Sequence, residues 1–203
     1  MTYLNFLNDR ASVRTFDPNY EISDKEIQEM MQSAANAPSS NNFQPWKIIA
    51  VKHKEKQDIL RTFAYDQKQV KDASVVFIIF GDKTLYDADK LMDFNVERGT
   101  ITEADRSYKM KRISTYLNLH PEDIGIEGLK FDSGLFSMNL MHVVRAFGYD
   151  SVPMRGVDFD KIKNYLDVPA NYEAMLLLPV GKAIKPGYPH VRYHLDEFFT
   201  LIK

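Results

Sequence analysis

Two groups of residues near the N-terminus have the types and spacing that hold ligands. Arg10-Ala11-Ser12-Val13-Arg14 sets two guanidinium groups and a hydroxyl within five residues, a grouping suited to a phosphate through charge-assisted, bidentate hydrogen bonds. Arg192, far away in sequence, is a further cation able to close such a site. By type and spacing alone, an ordinary basic surface explains these residues better than an anion site does. The cluster Ser39, Ser40, Asn41, Asn42 and Gln44 follows Pro38; it either hydrogen-bonds a polar heterocycle or simply makes turns. Pro153-Met154-Arg155-Gly156 precedes a helical pattern. Its backbone N–H groups either meet a ligand atom, as helix-entry turns do, or belong to a plain strand-to-helix turn. His190 and His194 stand four apart, but Pro189 argues against a helix that would aim both at one ion, and no metal site is expected. Nucleophile-elbow, Walker and Gly-x-Gly-x-x-Gly patterns are absent, which leaves hydrolase, nucleotide-triphosphatase and Rossmann readings without a motif.

The elements around these residues follow from periodicity. Ser23-Asp-Lys-Glu26 has the form of a capping box, and Ile27, Met30, Met31, Ala34 and Ala35 follow on one face, so a helix is expected over 23–36. Pro38 and the polar cluster stop it, and 46–51 reads as a strand. The continuous apolar run 75–80 reads as a strand covered on both faces, and 175–181 resembles it apart from Pro179. Residues 85–119 and 131–147 are helical by pattern, and such long helices suit a dimer core. A short amphipathic helix is expected over 158–166, and the Pro-, aromatic- and charge-rich segment 182–203 reads as an extended arm. No repeat or linker marks a boundary, so residues 1–203 are expected to form one domain.

Composition bounds the chemistry. The chain of 203 residues is 44% hydrophobic and 27% charged, values of an ordinary folded protein. A net charge of -2 provides no broad basic field, so no nucleic-acid partner is expected. Cysteine is absent, which excludes disulfides, thiolate metal sites and thiol redox chemistry; any electron transfer must use a bound cofactor. The N-terminal residues lack a signal-peptide pattern and the longest apolar run is too short to span a bilayer, so the expectation is a cytoplasmic protein with no membrane partner.

In order along the chain, these segments resemble the FMN-dependent nitroreductase family, and the resemblance covers nearly the whole sequence. Arg10-x-Ser12-x-Arg14 is similar to the family's N-terminal segment that meets the flavin phosphate and ring edge. Pro38-Ser39-Ser40-x-Asn42-x-Gln44-Pro45-Trp46 resembles the motif that reaches the flavin of the neighbouring subunit. Asp66-Gln67-Lys68-Gln69 resembles the segment at the pyrimidine edge of the isoalloxazine, and Val152-Pro153-Met154-Arg155-Gly156 the turn whose backbone N–H groups face N5. His190-x-Arg192 is similar to the C-terminal basic pair that closes on the phosphate. Four positions depart from the family pattern: Asp66 and Gln69 stand where many relatives have Asn and Lys, Arg155 replaces a common acidic residue, and His190 replaces a Lys or Arg. Loss of the lysine removes a positive charge that favours reduced, anionic flavin.

The resemblance implies an α+β fold, a three-layer α/β/α sandwich. Its central sheet would be mixed but mainly antiparallel, and its C-terminal arm would be swapped onto a partner subunit. It implies a homodimer with active sites at the subunit interface, FMN as cofactor and NADH or NADPH as electron donor. Nitroaromatics, quinones or similar electron-poor molecules would be acceptors in a ping-pong sequence through flavin N5, with no side chain acting as a catalyst. The implied cofactor-binding residues are Arg10, Ala11, Ser12, Arg14, Ser39, Ser40, Asn42, Gln67, Gln69, Pro153, Met154, Arg155, Gly156, His190 and Arg192. Two alternatives stay open: a flavoprotein of the same scaffold with a dedicated non-nitro substrate, and a flavin-binding dimer with a sensing or storage role.

Overall fold

The structure, a computed structural model, describes residues 2–203. Four strands form one sheet: β1 (Trp46–Val51), β2 (Val75–Asp82), β3 (Asp150–Ser151) and β4 (Tyr172–Gly181), in the spatial order β1-β2-β4-β3. All three pairings between named strands are antiparallel, and a parallel contact occurs at the isolated Ser12–Ser151 bridge. The 75–80 run is buried throughout because side chains alternate between two covered faces. Val75, Phe77 and Ile79 pack with α2 (Asp24–Ala34) and α7 (Ile126–Ala146). Val76, Ile78 and Phe80 pack with residues of α3 (Lys54–Phe63), α4 (Lys68–Asp72) and α8 (Phe159–Tyr165). Helices on both faces give the expected three-layer α+β sandwich.

Pro179 sits inside β4 without breaking the sheet. Its carbonyl accepts from the Val152 N–H at 3.2 Å, so its donorless nitrogen also faces the β3 side, where that strand has only two residues.

The capping box forms as expected. The Ser23 Oγ accepts from the Glu26 N–H at 3.2 Å, and the Glu26 carboxylate accepts from the Ser23 N–H at 3.0 Å. The 85–119 stretch is two helices rather than one, α5 (Ala88–Glu97) and α6 (Arg106–Leu119). Gly99 takes φ +68° just after α5, and Thr102 with Asp105 recaps the chain before α6. The long helix α7 starts five residues before the periodicity indicates, at Ile126 after Gly125; its interior glycines obscure the early turns. Periodicity alone misses α1 (Tyr3–Asn8), α3 and α4. In α3 a fully buried Gln57 interrupts the apolar face, its amide donating to the Val51 carbonyl at 3.0 Å. From Lys182 onward the chain is extended and mostly exposed, with one short 3-10 turn at Leu195–Glu197.

Candidate active site

Four of the sequence-marked segments meet along the β3 edge of the sheet. The Val13 N–H donates to the Ser151 carbonyl at 3.1 Å, which lays Arg10–Arg14 beside β3. Three residues further on, Met154 exchanges both backbone hydrogen bonds with Leu177 of β4, at 2.8 and 2.9 Å. That pairing uses the Met154 N–H, whereas the Arg155 and Gly156 N–H groups have no acceptor among the described residues. Both residues are exposed. A Cβ placed on Gly156 would meet nothing within 4 Å, so packing within the chain does not require glycine there. What its missing side chain leaves open is the backbone itself.

The third segment joins through side chains. The buried Gln69 amide donates to Gln67 Oε1 at 2.7 Å and faces the Met154 sulfur at 3.8 Å. Tyr65 and Asp66, just before it, both have positive φ, 54° and 59°, a conformation in which Asn and Asp are the tolerated non-glycine residues. Asp66 is ion-paired to Arg61, which also holds Asp58 at 2.9 Å. The departure from Asn to Asp at 66 therefore comes with its own counter-charge.

The fourth segment is the C-terminal arm. The His190 ring Nε2 lies 2.6 Å from the Arg10 carbonyl, and the Arg14 guanidinium sits over the Tyr188 ring at 5.8 Å. Gly187 is needed for this approach, because a Cβ there would fall 2.6 Å from the Ala11 Cβ. A cavity of about 370 Å³ lies between arm and N-terminal segment, lined by Ala11, Val13, Asp150 and Pro186 to His190 among others. Among the described residues, Arg192 gives a hydrogen bond only to its neighbouring Val191 carbonyl, at 2.7 Å.

The electrostatics of this edge are those of clustered positive charge. Burial lowers the Arg10 pKa below the ordinary guanidinium value, and the nearby charges of Arg192 and Arg145 lower it further. Burial likewise lowers the His142 pKa, with Arg10 and Arg145 adding to the effect. Like charges drawn together cost free energy that a bound anion would recover.

Ser39, Ser40 and Asn42 are not part of this edge. Their loop makes no hydrogen bond to the other four segments among the described residues; it is anchored to α7. The Ser40 N–H donates to Asp132 Oδ1 at 3.0 Å, and the Tyr86 hydroxyl donates to Asp132 Oδ2 at 2.9 Å. The Ser39 hydroxyl accepts from the Gln44 N–H at 3.0 Å, and Asn41, Asn42 and Gln44 all have positive φ. Burial raises the Asp132 pKa, opposed by those two hydrogen bonds; the same desolvation, with the Asp132 charge, raises that of Tyr86.

The sequence reading missed Asp132, Tyr86, Arg145 and Arg61. One signal was present: Asp132, Ser133 and Ser137 occupy the buried stripe of α7 alongside Leu129, Phe136 and Leu140, and a charged residue on an apolar stripe demands a partner. Beside the Arg155 turn lies a second cavity, of about 450 Å³, lined by Arg155, Phe159, Lys130, Ser133 and β4 residues Ala174 to Leu176.

Known proteins share this fold and are similar in sequence. The structure superposes on that of a nitroreductase-like protein from Streptococcus mutans with a TM-score of 0.96 and 52% identity, covering 99% of this chain and 98% of that one. It superposes on a crystal structure in complex with FMN from Exiguobacterium sibiricum with a TM-score of 0.90 and 31% identity, over 100% and 98% of the two chains. YdgI of Bacillus subtilis, provisionally named an NAD(P)H nitroreductase, is 30% identical over 96% of this chain and 94% of its own. The sequence profile of the Nitroreductase family matches residues 7–182, and the chain belongs to this family of oxidoreductase enzymes.

Proposed function

We propose that the chain is an FMN-dependent NAD(P)H oxidoreductase that reduces nitroaromatic, quinone or similar electron-poor acceptors. We take residues 1–203 as one FMN-binding domain that works as a homodimer. The observation that carries the reading is the convergence of Arg10–Arg14, Gln67–Gln69, Pro153–Gly156 and His190–Arg192 on one sheet edge. The residues fit the cofactor. Clustered guanidinium groups suit its phosphate, the free Arg155 and Gly156 N–H groups suit an acceptor nitrogen, and the buried Gln69 amide suits a pyrimidine edge. An FMN complex in a relative at 31% identity supports the same assignment.

The chemistry FMN supplies when bound is acceptance of a hydride from the pyridine nucleotide and its return to the acceptor, in a ping-pong sequence through N5. The side chains of this protein bind and orient. Arg10, Ser12, Arg14, His190 and Arg192 hold the phosphate; His190 does so partly by fixing the Arg10 carbonyl. Gln67 and Gln69 present amides to the pyrimidine edge, and Pro153 and Met154 hold the turn that aims the Arg155 and Gly156 N–H groups. Gln69 carries no charge, so it stabilises reduced, anionic flavin less than a lysine would. Ser39, Ser40 and Asn42, set apart on the Asp132 anchor, serve the site of the partner subunit.

The test is the visible absorption spectrum of gently purified protein before and after anaerobic addition of NADH, then NADPH. A flavin band that bleaches with either nucleotide and returns on addition of a quinone is the expected result. A colourless protein that cannot be reconstituted with FMN overturns the proposal.

A further inference from the structure

Arg145, in the last turn of α7, makes contacts that its own helix does not require. Its guanidinium donates to the Phe6 carbonyl in α1 and lies over the Phe6 ring, 5.0 Å from the centroid. No residue of α1 is buried, so this clasp is a principal tie between that helix and the body. The tie lies four residues before Arg10, and the Arg10 carbonyl is met from the other side by the His190 ring. The start of the anion segment is thus gripped at both ends, by α7 through Phe6 and by the arm through Arg10.

The charges point the same way. Arg145 acts electrostatically on Arg10, and so does Arg192. His142, one turn earlier on α7, feels both Arg10 and Arg145 and has a buried Nδ1 with no hydrogen-bond partner among the described residues. Asp9 and Asp150 line the cavity beside this group; burial raises the Asp150 pKa while Arg145 and Lys182 lower it. With Lys182, the three guanidinium groups outnumber these two carboxylates, and a bound anion would offset the excess.

We infer that Arg145 is a positioning residue of the phosphate end of the site, fixing the Arg10–Arg14 segment through Phe6 and adding the charge that selects a phosphorylated flavin over an unphosphorylated one. The inference rests on the flavin reading above and names a determinant of specificity within it.

Riboflavin separates the two roles an arginine here can play, because it shares the isoalloxazine and lacks the phosphate. Dissociation constants for FMN and riboflavin would be measured by fluorescence quenching for the wild type, Arg145→Met and Arg145→Lys, at low and high salt. Arg145→Met is expected to weaken FMN by about tenfold or more, the scale of one lost charge-assisted contact, with riboflavin changed less than about twofold. Arg145→Lys should restore part of the preference for FMN, and the salt dependence of FMN binding should be shallower in Arg145→Met. Equal losses for both flavins would make Arg145 a purely structural residue and overturn the inference, as would an unchanged FMN constant. A wild type that binds both flavins equally would overturn it while leaving the flavin reading intact. A wild type that binds neither would bring down both.

Discussion

At the scale of single residues, the site depends on groups that touch no ligand. Asp132 is 2% exposed, yet both its oxygens are engaged, by the Ser40 N–H and the Tyr86 hydroxyl. Asp132→Ala would strand both donors, and a loss of about 3 kcal/mol is expected in urea denaturation, at about 1–3 kcal/mol per unsatisfied buried group. Asp132→Asn keeps an acceptor for Ser40 and turns an amide toward Tyr86, so it should be far milder. Its pH dependence is informative. Burial raises the carboxyl pKa in the folded protein, so the protonated form favours folding below the unfolded value, and that advantage disappears as pH rises through the folded value. The stability of the wild type relative to Asp132→Asn should therefore fall as pH rises from about 4, the ordinary carboxylate value, through the raised folded value. A constant difference across that range would show that Asp132 does not titrate in this way.

At the scale of elements, the cap of α2 shows how local chemistry is tied into the whole. Ser23 and Glu26 satisfy each other's backbone N–H groups, and the Tyr149 hydroxyl donates to Glu26 Oε1 at 2.6 Å. The helix start is thereby bonded to a residue three positions beyond the end of α7. Ser23→Ala is expected to cost about 1 kcal/mol in chemical denaturation without changing the ratio of FMN to riboflavin affinity, because the cap lies outside the charged edge. Hydrogen bonds from Tyr149 and Ser23 hold the Glu26 carboxyl below its ordinary pKa. Its contribution is present above the unfolded carboxylate pKa and is lost as pH falls through the depressed folded value.

The elements also show how much was legible. The helix at 23–36 and the strands at 46–51 and 75–80 were readable because their apolar periods are uninterrupted and their ends carry turn or cap residues. Helix α3 was not, because a buried glutamine replaces an apolar residue on its inner face. The break between α5 and α6 rests on Gly99 and on the Thr102 recap, a local stop inside a stretch whose average pattern stays helical.

At the scale of the whole molecule, the surface is unfinished. Tyr188, Val191, Tyr193 and Ile202 of the arm are 79%, 86%, 79% and 91% exposed, and on α7 Phe131 and Met138 are 68% and 39% exposed. Apolar exposure on that scale marks a surface that associates, and the loop carrying Ser39, Ser40 and Asn42 is anchored apart from the edge it is proposed to serve. The proposed homodimer with shared sites accounts for both. Removing residues 183–203 is expected to yield a monomer by light scattering and to abolish FMN retention, since the arm carries both His190 and Arg192. A truncated chain that stays dimeric, or a folded monomer that holds FMN, would contradict the shared site.

The sequence by itself determined the α/β/α layering and the family, because periodicity and short ordered motifs are local properties of the chain. It also marked the residues at the β3 edge, although the types of its basic residues alone favoured plain surface charge and those of its turn allowed either reading. Only the tertiary structure decided which of them meet. Ser12 lies beside Ser151, Gln69 reaches Met154, and His190 reaches Arg10. Each of these proximities joins segments remote in sequence, and no local propensity encodes them. The same holds for Asp132 and Arg145, whose partners Ser40 and Phe6 lie far away along the chain. The reason is physical: a buried carboxylate or a clustered guanidinium is defined by what surrounds it, and the surroundings exist only once the sheet and its helices have closed.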